Sequence, residues 1–221
     1  MPDLSLPHVG RDWSAFLSRM VGEGVHEVTI SGVNSDPLLC LDTPKIIESA
    51  HSLGLRVGLH TNGIGNPDIA LAADKTTLSL HSFNPYIFEA ITSCHSSQMT
   101  SVLAFARLVL AKRPLKLSAT YVSDNADEIS GGDWFMGAAE LGVKRAVIRK
   151  CVGGSLDPRL PDDAQTLKSF AGQHVADVNG IEVTIWDYSV ANRNLAPISL
   201  WPDNTIRNAD AWDAISPKWH E

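Results

Sequence analysis

The feature that most constrains this chain is its rhythm, in which short β-branched runs alternate with helical apolar patterns at intervals of roughly 20 to 40 residues. Trp13 to Met20 carries apolar residues at helical spacing and stops at Gly22 and Gly24, after which Val28-Thr29-Ile30 reads as a strand. A helix from Thr43 to Leu53, with Pro44 in its first turn and Gly54 behind it, then feeds a strand from Leu55 to His60. Further strands are predicted over Thr76 to His81, Leu115 to Tyr121, Val143 to Arg149 and Ile181 to Trp186. The helices between them begin near Pro85 and run over Gln98 to Ala111 and over Asp133 to Leu141. Beyond a Pro/Asp/Gly-rich loop to Pro161, one more helix is expected up to about Val175, and Leu200 to Ile206 reads as a hairpin.

Strands alternating with helices require a parallel sheet joined by right-handed crossovers, so the fold class is α/β. A closed eight-fold barrel takes about 250 residues and eight strands. With 221 residues and six predicted strands, the expectation is a partial, open TIM-like βα barrel with mainly parallel strands. One domain is expected over residues 1–221, residues 11–150 forming the barrel core and residues 151–221 completing it and adding the hairpin tail. A chain of this length buries roughly 70% of its unfolded surface, which removes any need for a disulfide or a structural metal.

Charge and composition narrow the function. Eighteen Lys and Arg against 25 Asp and Glu leave a formal charge of -7, which argues against partners held by phosphate neutralisation, so no nucleic acid is expected. No apolar run is long enough to span a membrane and the first residues lack the pattern of a signal peptide, so a cytoplasmic protein without a membrane partner is expected. Cys40, Cys94 and Cys151 form no CxxC pair and read as reduced thiols. The phosphate-loop, dinucleotide, zinc-protease and nucleophile-elbow motifs are all missing, and the eight histidines include no pair at metal-ligand spacing, so no metal ligands are predicted.

In a parallel α/β sheet, ligands bind at the carboxyl ends of the strands. After the first strand stands Gly32-Val33-Asn34-Ser35-Asp36-Pro37, where converging backbone amides beside a carboxylate suit an amino-acid-like ligand. The same residues also suit an ordinary turn with an Asx cap. After the second strand come Thr61 and Asn62. Ser79 and His81 share one face by the period of two, His81 reading either as a ligand contact or as a satisfied core group. Asp124, Asn125, Asp127 and Glu128 suit a helix start, and Arg149 at a strand end suits a carboxylate or phosphate clamp.

Taken in order, these segments resemble the radical S-adenosylmethionine superfamily. Its Gly-Gly-Glu-Pro-like motif corresponds to Gly32 through Pro37, its Thr-Asn-Gly to Thr61-Asn62-Gly63, and its Ser-Leu-His-Ser to Ser79-Leu80-His81-Ser82. The resemblance continues through Glu140-Leu141-Gly142-Val143 to Arg149. It implies S-adenosylmethionine as cosubstrate, held by Gly32, Val33, Asn34, Asp36, Thr61, Asn62, Ser79, His81 and Arg149, with a small-molecule or peptide substrate. It also implies a [4Fe–4S] cluster on a CxxxCxxC loop after the first strand, a motif this sequence does not contain. The expectation is therefore that the first strand and the cluster loop precede Met1, and that an amino-terminal fragment or a partner chain covers the edge left at Val28-Thr29-Ile30. Trp186, Tyr188 and Trp201 are candidates to shield the radical from water. Two other readings stay open: a cluster-less binding module on the same barrel, and an ordinary barrel lyase or hydrolase using Asp36, His81 and Asp124 as acid and base.

Overall fold

The computed structural model describes residues 13–32, 35–151, 154–170, 173–186, 199–200 and 206–207. Five strands come first: β1 (Glu27–Ile30), β2 (Arg56–Thr61), β3 (Lys75–Ser79), β4 (Leu115–Tyr121) and β5 (Arg145–Lys150). They are joined through α1 (Trp13–Gly22) before β1, α2 (Thr43–Ser52), α3 (Pro67–Ala72), α4 (Pro85–Thr92), α5 (Gln98–Leu110), α6 (Ala126–Gly131) and α7 (Asp133–Leu141). Then β6 (Gln165–Phe170), β7 (Gln173–Val178) and β8 (Ile181–Trp186) follow without helices between them. All eight form one sheet in the order β1-β2-β3-β4-β5-β8-β7-β6. The pairs from β1 to β5 and the β5–β8 pair are parallel, whereas β8–β7 and β7–β6 are antiparallel. The sheet is open, mainly parallel and barrel-like, as the rhythm of the sequence predicts.

One prediction is overturned. The stretch up to Val175, expected as a helix, is the β6–β7 hairpin. Asp162-Asp163-Ala164 imitates a helix start, but the β7 ladder supplies backbone partners all along the segment, and Gln165 through Ser169 are exposed, so no apolar helix face is buried. A β-bulge between Thr166 and Lys168 leaves Leu167 outside the pairing and exposed. The sheet thus has eight strands rather than six, and the predicted tail hairpin is present as β9 (Ser199–Leu200) against β10 (Ile206–Arg207).

Strand alternation sorts the sheet into two faces. Val57 and Leu59 of β2, Leu78 of β3, Leu117 and Ala119 of β4 and Ile148 of β5 are fully buried in one core with residues of the helices. Trp134 and Phe135 on α7 anchor that core edge-to-face at 5.2 Å, and burial of side chains of this kind stabilises by about 1.5–3 kcal/mol each. Two short helices start by the same device: Asn66-Pro67 and Asn84-Pro85, in which the asparagine side chain accepts from the backbone N–H of Asp68 (3.0 Å) and of Tyr86 (2.9 Å). The opposite face of the sheet is polar, and it carries the candidate site.

Candidate functional site

At the carboxyl end of β1, Gly32 closes a turn so tight that an added Cβ would lie 1.5 Å from the Ser35 carbonyl oxygen. Only glycine fits there. The turn delivers Asp36, whose side chain caps the 3-10 turn Pro37–Leu39: Oδ1 accepts from Leu38 N–H at 2.9 Å. The same oxygen accepts from the Thr61 hydroxyl at 2.7 Å, and Oδ2 accepts from Asn62 N–H at 2.6 Å. Thr61 Oγ1 in turn accepts from Gly63 N–H at 2.9 Å. Asp36 therefore ties the ends of β1 and β2 together on the helix side of the sheet. Three acceptor positions are engaged, so its carboxylate shapes the loop before it can offer anything to a ligand. Val33 and Asn34 lie outside the described residues, as do Tyr188 and Trp201.

A second latch holds the ends of β3 and β4. Leu80 N–H still donates to Ser118 O at 3.0 Å, and the ladder then passes through a side chain, Thr120 N–H donating to His81 Nδ1 at 3.1 Å. Asn125 completes this arrangement from the buried interior: its Nδ2 donates to His81 O (2.8 Å) and Thr120 O (2.9 Å), while its Oδ1 accepts from Val122 N–H (2.9 Å). Glu128 accepts from Phe83 N–H at 2.8 Å and from the Ser82 hydroxyl, and Trp134 Nε1 donates to Leu80 O at 3.1 Å. The Asp/Asn/Glu cluster opens α6 as predicted, and Asn125 and Glu128 in addition clamp the β3 end.

His81 is fixed by this geometry. Its Nδ1 accepts, so the neutral ring carries its proton on Nε2 and can only donate from there. Burial, assisted by the Arg149 charge, pushes its pKa below the ordinary histidine value and keeps it neutral. The three residues of the acid–base alternative do not share a face. Asp36 meets Thr61 on the helix side, His81 continues the polar side, and Asp124 is exposed in a 3-10 turn.

The polar face runs well below the rim. Register aligns His60 with Thr77 and Thr77 with Lys116; one step up, Ser79 lies beside Ser118, and at the top Thr120 lies beside Arg149 and Arg149 beside Trp186. The sequence signal for His60 is its place at the end of the second strand, and that for Lys116 is the alternation Leu115-Lys116-Leu117-Ser118-Ala119-Thr120. Burial, and then the Arg149, Lys116 and Lys75 charges, lower the His60 pKa to about 4. Burial followed by Arg149, Lys75 and Arg145 lowers that of Lys116. Arg149 Nε is buried and has no hydrogen-bond partner among the described residues. A desolvated donor of this kind costs stability unless a ligand meets it.

The fit of cofactors follows from these residues. A carboxylate-bearing cosubstrate fits the orphaned Arg149 Nε and the glycine-tight loop at Gly32. An iron–sulfur cluster does not fit the thiols present: Cys40 is buried behind the 3-10 turn, Cys94 follows α4, Cys151 follows β5, and no group of three metal-ligating side chains exists among the described residues. Nor is any helix among the described residues long and apolar enough to cross a membrane.

No protein-family model matches the chain. A probable GTP 3′,8-cyclase from Sulfolobus acidocaldarius is 31% identical over 113 residues, which is 48% of this chain and 35% of that protein. The chain therefore spans about a third of the length of the curated relative it matches. Among solved structures, Streptococcus suis SuiB superposes with a TM-score of 0.55 at 15% identity, covering 69% of this chain and 36% of SuiB. SuiB bound to S-adenosylmethionine gives 0.53 at 15% identity over 63% of this chain and 33% of SuiB. TYW1 with a lysine-pyruvate adduct gives 0.50 at 14% identity over 66% of this chain and 52% of TYW1. At such identities the structural likeness establishes the fold.

Proposed function

We propose that the chain carries a radical S-adenosylmethionine core domain and binds S-adenosylmethionine at the carboxyl ends of β1 to β5, as part of an enzyme acting on a small molecule or peptide. The observation that carries this reading is Arg149: a buried guanidinium Nε without a partner, at the open end of a polar sheet face. In this reading it holds the methionine carboxylate. Backbone groups of the Gly32 to Asp36 loop and of Asn62 face the amino group, and Ser79 with the His81 Nε2 proton donates to the nucleoside; Val33 and Asn34 belong to the same loop. S-adenosylmethionine, when bound and reductively cleaved, supplies a carbon-centred radical that abstracts hydrogen from a substrate. The residues of this chain bind and orient it, and the latches at Asp36 and Asn125 keep the loops in place. The cluster thiolates would have to come from outside these 221 residues.

Equilibrium titration tests the reading. S-adenosylmethionine should bind the protein, and Arg149→Met should weaken it about tenfold to a hundredfold, the worth of about 1.5–3 kcal/mol for a hydrogen bond to a charged group. Decarboxylated S-adenosylmethionine should bind wild type and variant alike. Equal affinity of S-adenosylmethionine for both proteins would reject the assignment. The non-convergent thiols favour one second reading, a binding module that never cleaves its ligand. Iron content and reductive cleavage, measured on protein from its native source, separate the two.

A further inference from the structure

The inward positions of a packed βα barrel are dominated by branched apolar side chains. In this sheet the corresponding face carries His60, Thr77, Lys116, Ser118 and Arg149 in adjoining registers. A wall of that composition is not the filling of a packed apolar barrel. Its charge is unbalanced. The acids on this face are Glu27, Glu182 and Asp177, and each is engaged. Glu27 pairs with Arg56 at 3.4 Å and with Lys75, Glu182 pairs with Arg145 at 3.6 Å, and Asp177 accepts from Gly180 N–H at 3.0 Å. Lys116 and Arg149 have no carboxylate partner among the described residues, although both are half-buried. Lys150, by contrast, faces the other way and is held by Asp157 at 2.6 Å.

Half-buried like charges repel, and burial strips them of the water that would screen them. The Lys116 ammonium is pushed below its ordinary pKa by burial and by three neighbouring cations, with Glu27 opposing weakly, and the His60 ring is held neutral by burial and by three cations of its own. Such an arrangement is retained where an anion relieves it. We infer that Lys116, flanked across the register row by Thr77 and His60, receives the oxyanion group of a second ligand, a substrate bearing phosphate or carboxylate, two layers below Arg149 on the same face. The inference rests on the reading that S-adenosylmethionine takes the Arg149 end, which leaves the deeper cation to the substrate. Thr77 in that layer and Ser118 in the next one up carry hydroxyls able to donate to the anion.

Calorimetric titration of the full chain with inorganic phosphate and with succinate, at constant ionic strength, tests this and distinguishes the two chemistries. At least one should bind, Lys116→Met should weaken it tenfold or more, and Lys116→Arg should stay within about threefold of wild type. Circular dichroism confirms that each variant is folded. An independent readout is the His60 ring resonance, which should titrate near pH 4 in the free protein and shift its midpoint upward when the anion is present. The inference is overturned if neither anion binds, if Lys116→Met binds as wild type does, or if the His60 midpoint does not move. The wild-type titration with S-adenosylmethionine judges the underlying reading separately: loss of that binding with anion binding intact removes the cosubstrate and keeps the Lys116 site.

Discussion

Replacing Asp36 by alanine separates a loop-tying carboxylate from a ligand-holding one. The substitution removes the acceptor for Leu38 N–H and for the Thr61 hydroxyl, both on residues at most 3% exposed, and for Asn62 N–H on an exposed residue that water can serve. An abandoned buried donor costs about 1–3 kcal/mol, so two of them set the expected loss near 3 kcal/mol. For a chain of this size that lowers the melting temperature by about 6–12 °C. Asp36→Asn keeps one oxygen but turns an amide NH2 toward a donor, and the expected loss is about 1–2 kcal/mol. Asp124→Ala, on an exposed residue, should stay within about 0.5 kcal/mol of wild type. Urea unfolding with comparison of midpoints and slopes provides the assay. A loss below about 1 kcal/mol for Asp36→Ala would show that the three hydrogen bonds do not hold the β1 and β2 ends together, and the argument built on them would fail.

Three further outcomes are expected. The folded-state pKa of His60 lies near 4, below its unfolded value of 6.5. The unfolded chain therefore takes up the proton first, so stability is complete above about pH 6.5, declines by about 3 kcal/mol as the pH falls to about 4, and is flat below. His60→Gln should flatten that slope in urea midpoints measured across the range, and an unchanged slope would contradict it. Trp134→Phe deletes the indole donor to Leu80 O at a fully buried site and should cost about 1–3 kcal/mol in the same unfolding assay, whereas a neutral result would place the β3 end under other control. Gly65→Ala puts a Cβ 2.6 Å from Leu38 Cβ at a φ of +145°, and thermal melts should show a loss of at least about 2 kcal/mol; wild-type stability would mean that the β2 loop does not lie against Leu38.

Much of the fold is legible in the sequence because its signals are local. Gly54 and Gly142 end helices with positive φ, Leu115–Tyr121 is a strand with the predicted bounds, and the helix–strand rhythm implies a parallel sheet. The β6–β7 hairpin is not legible because Asp162-Asp163-Ala164 imitates a helix start and no turn signal outweighs it. A local signal does stand for the neighbouring β7–β8 hairpin, and with it for β7 as a strand: Asn179-Gly180, flanked by Val178 and Ile181, is the two-residue turn in which both residues take positive φ, 54° and 78°. The site divides in the same way. Period-two alternation places Ser79 and His81 together and Arg149 at a strand end, and the structure puts them on the polar face. That Asp36 would bond Thr61 and Asn62 across 25 and 26 positions, or that Asn125 would clasp His81 across 44, depends on tertiary packing to which no short spacing points. His60 and Lys116 carry the alternation signal, but their shared charge environment exists only once four strands, β2 to β5, lie side by side.

The central claim is that the open, carboxyl end of this sheet binds S-adenosylmethionine through Arg149, and a crystal structure of the chain soaked with that ligand tests it most directly. The account predicts the methionine carboxylate within hydrogen-bond distance of Arg149 Nε, with the amino group at the Gly32 to Asp36 loop. Ligand bound elsewhere, or bound there with Arg149 Nε still without a partner, would contradict it.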